Sequence, residues 1–183
     1  MPERRMGVVE KSAEREAAGR GLEDASEREI VLSRVFDAPR EMVWEAWTDP
    51  KQVALWWGPK GFTTTIEEMD VRPGGVWKQV MHGPDGADYP NKCVFLDVVP
   101  YERLAYTLRG GRAGSPEVQF EKAVIFEDNG EDDGGGTRVT MRLTFASVEA
   151  RDQNVRDYGS IEGAKQAFER LAEYLAGRFA GRQ

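Results

Sequence analysis

From Phe62 to Phe145, apolar residues fall on alternate positions in runs separated by turn residues. A period of two marks strands with one covered face. Six runs carry it: FTTTIEEMDV, GGVWKQVMHG, KCVFLDVV, RLAYTLR, VQFEKAVIFED and GTRVTMRLTF. The segments RPGG (Arg72–Gly75), GPDG (Gly83–Gly86) and EDNGEDDGGG (Glu127–Gly136) separate several of them, and their Gly, Pro and Asp residues supply turn backbones. The last run alternates most cleanly. Val139, Met141, Leu143 and Phe145 face one way, and Arg138, Thr140, Arg142 and Thr144 the other. This predicts an antiparallel strand with one wet side.

The pattern differs on either side of these runs. EIVLSRVF, from Glu29, predicts a strand with both faces partly covered. Pro39 then opens PREMVWEAWTD at its first turn with Asp37 as the expected cap, and Val43, Trp44 and Trp47 share one apolar helical face. Asp49-Pro50 restarts a short helix, PKQVALWW, which Gly58-Pro59 stops. At the other end, Ile161, Phe168, Leu171, Leu175 and Phe179 recur at helical spacings. They predict a closing helix from about Tyr158 to Arg178, with Ala164 and Ala172 leaving room on the same face. The order of strand, two short helices, six strands and long helix predicts an α+β fold. Its sheet is a curved, seven-stranded antiparallel one around the C-terminal helix. Such a packing can leave an apolar hollow between sheet and helix, where a small-molecule site would lie.

Composition narrows the partners. Residues 1–27 are rich in Glu, Arg, Ala and Gly and predict a flexible charged tail ahead of a domain at 28–180. The net charge of −7 gives no electrostatic support to nucleic acid or an anionic membrane as partner. No apolar run approaches the ~20 residues that span a bilayer, so membrane insertion is not expected. The N-terminus lacks an apolar core of the secretory kind, and the single Cys93 suits a reducing compartment. Together these predict a cytoplasmic protein.

The candidate chemistry centres on aromatic residues. Trp44 and Trp47 are read as packed caps on the open end of the sheet. Adjacent helical residues point about 100° apart, so Trp56 and Trp57 are expected to divide, one sealing the core and one at the rim of the hollow. Trp77, Gln79 and Met81 share a strand face, and an inward Gln79 would need a hydrogen-bond partner. The candidate lining or rim residues are Trp56, Trp57, Phe62, Met69, Trp77, Gln79, Met81, Tyr106, Phe120, Ala164 and Phe168. His82 has no spacing to other ligands that suits a metal, and Cys93 reads as a small buried hydrophobe. Asp70 and Arg72 are expected to pair. Neither RPGG nor GGG opens a helix as a phosphate loop does. No catalytic residue, metal or cofactor is assigned.

VFDAPREMVWEAWTDPKQVALWWGP, MDVRPGGVWKQVMHGPDG, VVPYERLAYT and GTRVTMRLTF, closed by YGSIEGAKQAFERLAEYLA, together resemble the activator of heat-shock protein 90 ATPase homologue-like family. The resemblance runs from about Glu29 to Ala176. It implies the helix-grip fold of the START-like (SRPBCC) superfamily, whose members bind apolar ligands, carry lipids, cyclise polyketides or act as co-chaperones. The leading expectation is therefore a cavity for an apolar or amphipathic small molecule. The alternatives are a polyketide cyclase/aromatase-like enzyme and a co-chaperone of a heat-shock protein 90 ATPase; a homodimer is a further arrangement to test. Nothing in Met1–Arg28 resembles the additional N-terminal domain of the co-chaperone that names the family. Where many members have Trp after the Gly of the closing helix, this chain has Ala164, which opens the helix face toward the hollow.

Overall fold

A computed structural model of the chain describes residues 26–181, with side chains through residue 178. Residues 1–25 of the stretch read as a tail lie outside the described residues, as does the side chain of Phe179. The first strand, β1, spans Glu29–Phe36, followed by helices α1 (Arg40–Thr48) and α2 (Pro50–Trp56). The alternating runs become β2 (Thr63–Met69), β3 (Val76–His82), β4 (Asp88–Val99), β5 (Arg103–Gly110), β6 (Val118–Asp128) and β7 (Thr137–Thr144). All seven strands form one antiparallel sheet in the order β1-β7-β6-β5-β4-β3-β2.

The register follows the side-chain pattern. On β7, Val139, Met141 and Leu143 are buried while Arg138 and Arg142 are exposed, because a period of two must send alternate residues to opposite faces. Two irregularities bend the sheet. One lies between Ile66 and Glu68 on β2 and the other between Phe95 and Asp97 on β4. An extra residue on one strand increases local twist, and at the second site it leaves Leu96 half exposed. The RPGG turn needs its last glycine, since a Cβ on Gly75 would collide with the carbonyl of Asp70. Asp70 and Arg72 pair at 2.7 Å, as their spacing suggests.

The closing segment departs from expectation in length. Two helices follow the sheet, α3 (Val148–Tyr158) and α4 (Ser160–Gly181), where the periodicity marks only the second. Ser147 caps α3 by accepting from the Ala150 amide at 3.0 Å, and Gly159 ends it in the left-handed region at φ 55°. In α3 the apolar residues are too sparse to form a stripe, so its helical signal lies in these caps. On α4, Phe168, Leu171 and Leu175 are buried, and the Phe168 ring meets Phe36 of β1 edge-on at 5.5 Å. Upstream, α1 begins two residues later than an Asp37 cap would place it. Pro39 takes the cap position with no side-chain bond, and its carbonyl accepts from Met42 and Val43.

Candidate functional site

The strand order puts β1 and β2 at opposite edges of the sheet. The chain between them must cross from one edge to the other, and α1 and α2 make that crossing. Asp49 fixes the start of α2, its carboxylate accepting from the Lys51 amide at 3.0 Å and the Gln52 side chain at 3.1 Å. Its end is held from α4. There the Arg170 guanidinium donates to the carbonyls of Trp57 and Gly58 at 3.0 Å and of Pro59 at 3.2 Å. Tyr174 adds a bond to Gln52 at 3.0 Å, and Thr64 of β2 donates to Trp57 at 3.0 Å. These bonds fix where the tryptophans sit.

Between the sheet, α2, α3 and α4 lies a cavity of about 300 Å³, at the small end of ligand sites, which run from about 300 to 1,000 Å³. Trp56, Trp57 and Phe62 line it from the α2 end, Met81 and Phe120 from the sheet, and Ala164 and Phe168 from α4. Trp47, read as a packed cap, also reaches its wall. Trp44 turns away, its ring 5.2 Å from Phe126 and 5.9 Å from Tyr101.

The expected division of Trp56 and Trp57 does not occur, since both are buried. The 100° rule holds only inside a helix, and α2 ends between them, with Trp57 extended at φ −62° and ψ 137°. The backbone change swings the second indole back beside the first, their centroids 5.4 Å apart. Trp56 also donates from Nε1 to the Ala46 carbonyl at 2.9 Å.

Four expected lining residues lie outside the cavity wall. Trp77 and Tyr106 are buried beneath it, Trp77 packing against Trp57 at 4.8 Å and against Tyr106 at 5.4 Å. Met69 pairs with Trp77 across β2 and β3 and packs on the core. Gln79 does point inward and is buried, and neither amide atom has a hydrogen-bond partner among the described residues. His82 bridges strands at the surface, with Nδ1 2.7 Å from Asp88 and Nε2 2.8 Å from the Thr65 hydroxyl. Cys93 is fully buried, and burial pushes its thiol up to about 12.

One further residue of the site carries a charge. Lys122 lies on β6 between Phe120 and Val124 in the alternation that turns this face inward, and it lines the cavity. Its Nζ stands 4.7 Å from the Trp57 ring centroid, 5.4 Å from Trp47 and 5.9 Å from Tyr106. Among the described residues no carboxylate lies within ion-pair distance of it. Burial lowers its pKa to about 8, opposed only by the nearby Cys93 sulfur. The signal was present in the sequence: a Lys two residues from Phe120 and from Val124 must share their face.

Further polar groups of the wall lie on α3, on β4 as Asn91 and at the start of α4 as Ser160. Asp157 and Arg112 are exposed at the rim, and the Tyr158 hydroxyl accepts from the Arg112 amide at 3.2 Å. Asn154 is buried in the same wall. No group of three or more His, Cys, Asp or Glu residues is placed to hold a metal among the described residues. None of the described helices is long and apolar enough to cross a membrane.

A curved antiparallel sheet closed by a long C-terminal helix, with a cavity between them, defines the helix-grip class. Within that class, the family model described as Activator of Hsp90 ATPase homolog 1-like protein matches residues 37–176. The chain belongs to that family. Among solved structures, protein Ms6760 from Mycobacterium smegmatis is similar at 30% identity and TM-score 0.73, covering 85% of this chain and 95% of that one. A protein from Arthrobacter aurescens is similar at 26% identity and TM-score 0.74, covering 84% and 89%. Protein CV1439 from Chromobacterium violaceum is similar at 26% identity and TM-score 0.69, covering 81% and 96%. No curated protein matches the chain.

Proposed function

We propose that the protein binds a hydrophobic or amphipathic small molecule in the cavity between the sheet and α4. The observation that carries this reading is the cavity itself, about 300 Å³ walled mainly by aromatic and aliphatic side chains. A well-packed core leaves few voids larger than a water, and an apolar-lined hollow of this size has the form of a small-molecule site. The mainly apolar lining supports binding over cyclase chemistry. The wall's polar groups are spread over β4, β6 and α3, as Asn91, Lys122 and Asn154, with Arg112 and Asp157 at the rim, whereas a cyclisation site needs several converging on one bound substrate.

The test is native mass spectrometry of protein purified from its own host, followed by titration of the recovered compound against indole fluorescence. Ala164→Trp should fill the hollow and weaken binding at least tenfold while the protein stays folded. Unchanged affinity in that variant would place the ligand elsewhere and end this reading.

A further inference from the structure

The wall of this cavity holds one feature that an apolar ligand alone does not explain. Phe120, Lys122, Val124 and Phe126 share a face of β6, and a lysine there interrupts an otherwise apolar row. Other cations near the site have partners. Arg112 stands 3.9 Å from Asp85, and Arg170 is spent on backbone carbonyls. Among the described residues, Lys122 has three aromatic rings around its ammonium group and no carboxylate within ion-pair distance. Lys122 is half-buried; cation–π attraction offsets part of the cost of withdrawing its ammonium from water, and a bound anion would offset more of it. The two ionisable groups in contact with its surroundings do not supply that anion. Cys93 and Tyr106 are both buried, and burial holds each in its neutral form.

We propose that the ligand is an organic carboxylate of medium-chain or single-ring size, its carboxylate paired with Lys122 Nζ and its apolar body lying against Phe120, Met141, Leu143 and Phe168. This rests on the binding function inferred above and names the ligand's chemical class. The carboxylate gains a charge-assisted hydrogen bond in a setting screened from bulk water. The rings of Trp47 and Trp57 exclude solvent from the pair and remain in contact with the cation. The cavity volume sets the size limit, and the protein's net charge of −7 means that attraction to an anion is local to Lys122.

Matched probes test this: decanoate against decanol, and 4-butylbenzoate against 4-butylbenzyl alcohol, titrated at pH 7 by calorimetry and by indole fluorescence. Wild type should bind each acid at least tenfold more tightly than its alcohol. Lys122→Met should remove that preference by weakening the acids, while the alcohols bind as well or better. Lys122→Gln, which keeps polarity without charge, should behave like Lys122→Met and covers the case in which one variant folds poorly. If wild type binds acid and alcohol equally, or either variant keeps the acid preference, the carboxylate anchor is wrong and the apolar cavity stands. If no probe of either kind binds wild type and Ala164→Trp changes nothing, both readings fail together.

Discussion

Lys122 shows how one side chain can place cavity, stability and pH on the same atom. Its folded-state pKa of about 8 lies below the ordinary 10.5. Above pH 8 the folded protein has released this proton while the unfolded chain still holds it, so the unfolded state binds more protons and stability rises with pH. Two neighbours act in the opposite sense. The Cys93 thiol is pushed from 9.0 to about 12, and the Tyr106 hydroxyl is pushed well above 10.0. Each keeps its proton in the fold after the unfolded chain has lost it, which erodes stability from about pH 9 upward. Ligand-free protein should therefore gain about 1 kcal/mol between pH 8 and 9 and lose stability at higher pH, as urea melts at closely spaced pH values would show. Lys122→Met should flatten the rise, keep the fall, and stabilise the ligand-free protein at pH 7 by on the order of 1–3 kcal/mol. A rise that survives in the variant would assign it to another group.

At the scale of elements, the site depends on how α4 holds the end of α2. Arg170→Met keeps the length of the side chain and removes its bonds to Trp57, Gly58 and Pro59. It should cost roughly 1.5–3 kcal/mol, as hydrogen bonds from a charged group do, and shift indole emission to the red as the tryptophans loosen. A variant as stable as wild type, with unchanged emission, would mean that packing alone holds them. None of these bonds was legible in the sequence, because nothing local links position 170 to carbonyls more than a hundred residues earlier. The strands were legible, since alternation reports burial directly, as Val139 through Phe145 illustrates. The tryptophan pair was misread for a local reason. The end of α2 falls between Trp56 and Trp57, and one extended residue overturns a helical projection. Helix α3 escaped because its caps, Ser147 and Gly159, carry more signal than its apolar residues. Lys122 escaped although the same alternation placed it, because a lysine in an apolar row reads as the outward member of a strand.

Over the whole molecule, the cavity exists because the sheet does not close and the helices cover it. Ring contacts run without a break from Trp56 and Trp57 through Trp77 to Phe95 and Tyr106, so the α1–α2 crossing and the middle of the sheet form one aromatic body. The strand order has a further consequence, in time. The first strand is paired with the last, and Ser33 bonds to Thr140 across 107 positions of sequence. During synthesis β1 emerges early and must wait for β7, its apolar residues unsheltered until nearly the whole domain has been made. Bringing such distant segments together costs loop entropy before any contact repays it. Refolding from urea should therefore fall in the millisecond-to-second range rather than the microsecond range, as stopped-flow fluorescence would show. A chain stalled on the ribosome before Thr137 should remain protease-sensitive throughout, while one extended past α4 should become resistant in a single step. The order in which the strands are written makes this domain an all-or-none product of its own translation.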